Sequence, residues 1–118
     1  MNKKRLLIVA GCIWLIVVTV LLLLPATEIP EIDLFGYLTD KVIHAGVYGL
    51  VVLLFGWPAP QYLTRTVILS IVHGIAMEFG QKYLTVNRSF DVWDMVADAA
   101  GCLLAMALVK GLKKNKPL

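Results

Sequence analysis

Three runs of this sequence carry side chains that can bind ions or move protons. Asp40, Lys41, His44 and Tyr48 stand three and four residues apart, and so do Glu78, Gln81 and Lys82. Asp91, Asp94 and Asp98 follow at i, i+3 and i+7. On a helix those spacings put each set on one face. Carboxylates in unlike surroundings suit general acid–base chemistry, because the surroundings split their proton affinities. Glu78 and Asp94 are candidates for the acid or base. His44 is a candidate base, since imidazole titrates near neutrality. Arg88, in the Arg88-Ser89 turn, suits an anionic group or developing negative charge. The candidate binding set is Asp40, Lys41, His44, Glu78, Gln81, Arg88, Asp91, Asp94 and Asp98. No two-histidine motif at metal-ligand spacing is present, so neither a metal nor a cofactor is expected.

The elements that must position these groups are apolar. Hydrophobic residues make up 59% of the 118 residues and charged ones 16%, which points to a single multi-span membrane domain. Residues 6–24 contain no charge, enough to cross a hydrocarbon core of about 30 Å at about 1.5 Å per residue. The run is too long for a signal-peptide core, and Pro25-Ala26-Thr27 is a poor cleavage site, so it reads as an uncleaved first helix. Val9-Ala10-Gly11-Cys12 resembles a lipoprotein cleavage site, but the apolar run continues beyond the cysteine, which argues against it. Pro25 and Pro30 mark a loop over 25–39, with a short interfacial turn around Leu34–Tyr37 in numbers 34–37. Further helices are expected over 39–57, capped by Thr39 or Asp40 and ended by Pro58, over 63–84, and over 91–109, stopping at Lys110-Gly111. Trp57, Tyr62, Tyr83 and Trp93 fall near the ends, where interface anchors belong.

Four spans return both termini to one side. That side holds 8 of the 11 basic residues; the other holds Lys41, Lys82, Arg88 and all 8 acidic ones. The positive-inside rule then makes the termini cytoplasmic and turns the polar residues outward. The basic clustering at the ends gives no nucleic-acid stripe and suits weak contact with anionic lipid. Cys12 and Cys102 lie inside apolar runs and read as small packing residues. Three polar stripes cannot all face lipid. Turned inward, they make a four-transmembrane-helix bundle with a polar pocket at its outer face. Ala97, Gly101 and Ala105, with Ala45 and Gly49, supply the small residues for close approach. Asp40, Glu78, Asp91, Asp94 and Asp98 outnumber the three bases there, so burial is expected to keep Glu78 or Asp98 protonated near pH 7.

Asp40-Lys41-x-x-His44, Glu78-x-x-Gln81 and Arg88-Ser89-Phe90-Asp91-x-x-Asp94-x-x-x-Asp98-x-x-Gly101 together resemble the VanZ-like family over roughly 38–108. The first helix matches only in kind. Asp98 replaces the family's usual Asn, and Asn87 replaces the usual Gly before the arginine. The namesake is associated with teicoplanin resistance, so the resemblance implies a cell-envelope role in a bacterial inner membrane and an outward polar site, without naming a reaction. Three readings stay open. The site binds a lipid, a cell-wall precursor or a lipoglycopeptide. Or Glu78 or Asp94 runs acid–base chemistry on a lipid-linked substrate. Or the ion pairs only lock helix ends. His44 is either a base or a hydrogen-bonded helix-end residue, and His73 reads as packing.

Overall fold

The computed structural model describes residues 2–24, 34–84 and 91–113. They form helices α1 (Lys3–Leu23), α2 (Leu34–Gly56), α3 (Leu63–Leu84) and α4 (Val92–Lys113), with a single 3₁₀ turn at Pro60–Tyr62 leading into α3. All four helices are long and apolar enough to cross a membrane.

Each helix end has a local cause. Asn2 caps α1, its side-chain oxygen accepting the Arg5 N–H at 2.8 Å, so the basic start is helical rather than a leader to the helix. The second helix begins at Leu34, not Thr39. Thr39 and Asp40 are therefore interior residues, not caps. Gly36 costs this first turn only about 1 kcal/mol relative to alanine. Residues 25–33, the first part of the expected loop, lie outside the described residues. The third helix has the expected bounds. The fourth runs to Lys113 through Gly111, past the expected stop at 109. Lys113 explains the extension: its ammonium donates to the Trp57 carbonyl and sits 4.5 Å from the Trp57 ring, tying the end of α4 to the end of α2.

Helices α2 and α4 form the most extensive contact. A Cβ on Gly101 would overlap the Ala45 carbonyl, and one on Gly49 would stand 3.2 Å from the Gly101 carbonyl oxygen. The small-residue spacing thus sets this crossing, as expected. The core below it is Tyr48, Val52, Val67, Cys102, Ala105 and Val109. Cys102 packs there, but Cys12 is exposed, contrary to expectation, and both are free thiols. Leu6, Ile13, Ile16, Leu69, Leu84 and Leu104 are each more than half exposed. An apolar surface this extensive is unusual for a water-soluble monomer.

Candidate functional site

The site is built from the start of α4. Asp91 acts as its cap: Oδ1 accepts the Trp93 N–H at 2.9 Å, and its carbonyl accepts the Asp94 N–H at 3.1 Å. The Asp91 N–H in turn donates to Glu78 Oε1 at 3.0 Å. Glu78, buried on α3, therefore pins the N-terminus of α4 and places a carboxylate at the positive end of that helix. Burial works upward on the Asp91 pKa, but the Lys41 ammonium and the Trp93 and Asp94 N–H groups outweigh it and hold the carboxyl below its ordinary value.

Pinned this way, α4 turns Asp94 and Asp98 toward α2. Lys41 reaches across from α2. Its ammonium donates to Asp91 Oδ2 at 2.7 Å, to Asp40 Oδ2 at 3.2 Å and to Asp94 Oδ1. Three partners use all three of its protons. Lys41 is therefore held by carboxylates rather than standing open to an anion.

His44 stands one turn further along α2. Its Nδ1 lies 3.0 Å from Asp98 Oδ1. Its Nε2 lies 3.6 Å from Asp94 Oδ2 and 3.9 Å from Asp40 Oδ1, outside hydrogen-bonding range of both. The His44 side chain is 12% exposed and that of Asp98 3%. Gly74 on α3 makes the room for Asp98, since a Cβ there would stand 2.9 Å from Asp98 Oδ2.

A second polar string runs deeper. Thr19 Oγ1 donates to the Leu15 carbonyl at 2.8 Å, so its oxygen is left to accept from His73 Nε2–H at 2.9 Å. His73 Nδ1 then accepts from the Tyr48 hydroxyl at 2.8 Å. The string joins α1, α3 and α2 with one tautomer. His73 is thus a cross-helix hydrogen-bonding residue, not simple packing, and Tyr48 belongs to it rather than to the acidic cluster.

Of the expected site residues, Asp40, Lys41, His44, Asp91, Asp94 and Asp98 come together, with Glu78 attached through the Asp91 backbone. Gln81 is drawn to α1, where its Nε2 donates to the Leu22 carbonyl at 3.0 Å. Lys82 is exposed, its ammonium 5.2 Å from the Tyr83 ring. Arg88 and Ser89 lie outside the described residues. The carboxylates of Asp40 and Asp94 and the His44 ring offer ligand atoms within 4.8 Å of one another, a grouping that α2 spacing alone did not reveal. Thr19 and Gly74 were missed, and His73 was read as packing. Thr19 and His73 are isolated polar residues in apolar runs, the signal that would have placed them.

No family model matches the chain. No solved structure matches it. It is 36% identical over 89 residues to an uncharacterized protein of the fission yeast Schizosaccharomyces pombe, a match taking in 71% of this chain and 50% of the yeast protein. The chain thus spans about half the length of that curated relative. Because the relative is eukaryotic, the expectation of a bacterial inner membrane is overturned. What stands is that four apolar helices fit a membrane.

Proposed function

We propose that this chain is a four-span membrane protein that binds the polar headgroup of a membrane lipid at the ionised end of its bundle. One observation carries the reading: five carboxylates, an ammonium and an imidazole from three helices converge at one end of an otherwise apolar bundle. Each charged group costs about 2.5–3.5 kcal/mol at a membrane helix centre, falling toward the interface. Locking helices together needs no such expense, as the uncharged Thr19–His73–Tyr48 string demonstrates nearby. The VanZ-like resemblance supports the same end of the bundle. A eukaryotic relative favours a ligand class common to all membranes over a lipoglycopeptide or a cell-wall precursor.

A second reading draws on the His44–Asp98 pair. A carboxylate on Nδ1 fixes the ring and leaves Nε2 toward Asp94, the arrangement of an oriented base. On that reading the site turns over a lipid-linked substrate, with Glu78 or Asp94 as its acid.

Native mass spectrometry of the detergent-purified protein decides between ligand site and lock. Offered phosphatidic acid, phosphatidylserine and phosphatidylcholine at equal concentration, the wild type is expected to retain one headgroup class preferentially. Asp94→Asn, with an unchanged unfolding midpoint, is expected to lose that preference. Equal retention of all three by the wild type overturns the proposal. Conversion of a retained lipid to a product moves the assignment to the enzymatic reading.

A further inference from the structure

We propose that Asp40, His44 and Asp94 form a site for a divalent first-row metal ion, zinc foremost, with Asp98 as its positioning residue. The claim deepens the headgroup reading, and rests on it for the ligand though not for the metal.

The two carboxylates divide their oxygens. Asp40 Oδ2 and Asp94 Oδ1 go to Lys41. Asp40 Oδ1 and Asp94 Oδ2 face His44 Nε2 at 3.9 and 3.6 Å. Those distances are too long for hydrogen bonds, and Nε2 has no hydrogen-bond partner among the described residues. They are close to what an ion needs. A tetrahedral ion with bonds of about 2.0–2.2 Å sets its ligand atoms about 3.3–3.5 Å apart. His44 and Asp94 already meet that within a few tenths of an ångström. The Asp40 side chain is 45% exposed, which leaves room for its Oδ1 to close the remaining distance.

Asp98 meets the other nitrogen of the His44 ring. Metal-bound imidazoles donate their second N–H to a carboxylate, which fixes ring and tautomer and raises ligand basicity. The 3.0 Å contact between His44 Nδ1 and Asp98 Oδ1 supplies that partner on the correct nitrogen. Lys41 holds the far side of both carboxylates, so the pair is oriented before an ion arrives.

Charge points the same way. Among the described residues, Asp40, Glu78, Asp91, Asp94 and Asp98 face one lysine ammonium and one imidazole, an acid excess that repels a bare phosphate. A divalent ion offsets it. Three protein ligands leave a coordination position open, and a phosphate-bearing headgroup is the class of ligand to take it. The donor set of one imidazole nitrogen and two carboxylate oxygens fits zinc or manganese better than copper(I), which favours sulfur ligands.

Cobalt(II) is the probe. Metal-stripped full-length protein in detergent is titrated with cobalt, followed by its visible ligand-field absorption and by elemental analysis after desalting. One ion per chain is expected, displaced by zinc. His44→Gln is expected to abolish binding. Asp40→Asn, at an exposed position, is expected to weaken it at least about tenfold without moving the unfolding midpoint, and Asp98→Asn by about 10–100-fold. No stoichiometric ion in the wild type, or full binding by His44→Gln, overturns the site. If His44→Gln does not fold, undiminished binding by Asp40→Asn does so. Lipid retention in the same samples separates the two claims. Lipid without cobalt leaves the headgroup reading and removes the metal. Cobalt without lipid does the reverse.

Discussion

Two histidines of this bundle teach opposite lessons. His73 has both ring nitrogens bonded, to Thr19 and Tyr48, through partners with no charge. His44 has one nitrogen bonded, to Asp98, and the other turned toward two carboxylate oxygens that it does not reach. The first has completed its hydrogen bonding within the protein, and a completed ring has little left to offer a ligand. The second keeps a lone pair or a proton in reserve, surrounded by charge. Both rings join helices in an apolar bundle, so burial alone does not distinguish a strut from a site. The state of the second ring nitrogen does.

The largest effect should come from removing the frame that holds both. Gly101→Leu drives a side chain into the Ala45 carbonyl and separates α2 from α4. Overpacking of this kind costs about 1–3 kcal/mol and sometimes more. Thermal unfolding in detergent should show a loss beyond any other single change proposed here, with lipid and metal binding lost alongside.

The contrast itself is tested by a matched pair. His73→Phe leaves the Tyr48 hydroxyl without its acceptor and is expected to destabilise the protein by about 1–3 kcal/mol while metal and lipid retention survive. His44→Gln is expected to show the inverse, with binding lost and a smaller stability change. The reverse assignment, read by unfolding midpoint against binding stoichiometry, would break the comparison.

Gly74→Ala sharpens it further. The added Cβ stands 2.9 Å from Asp98 Oδ2, so the carboxylate must shift and its bond to His44 weakens. Cobalt affinity should fall about tenfold, the lower end of what losing such a supporting contact costs. The unfolding midpoint should change little, since Ala is the better helix former.

The smallest effect is on acid stability. The Asp91 carboxyl is held below its ordinary value, so its contribution is present above its unfolded pKa and is lost as pH falls through the lowered folded one. Asp91→Asn should therefore flatten the acid limb of the stability–pH curve, leaving the neutral region shifted only by the lost Lys41 contact.

Much of this was legible in the sequence. The four apolar runs and the spacing of Asp91, Asp94 and Asp98 are periodic signals, and periodicity survives without coordinates. The Gly101 and Ala45 approach was readable for the same reason. Helix ends were less so. Lys110-Gly111 read as a stop, yet a contact from far along the chain, Lys113 on Trp57, outweighs about 1 kcal/mol of propensity. Partner choice was hidden altogether. Nothing in the spacing of Gln81 says that it turns to α1, or that Lys41 spends its three protons on Asp40, Asp91 and Asp94. Those outcomes depend on helix rotation, which one face's spacing does not specify. The cellular location failed differently. Charge bias orients a membrane protein but does not identify the membrane.

The most direct test of the central claim, that the ionised end is a ligand site and not a lock, is headgroup retention by the wild type and Asp94→Asn at matched unfolding midpoints. The expected result is selective retention of one phospholipid class by the wild type and its loss in the variant. Indiscriminate retention by both proteins would contradict it.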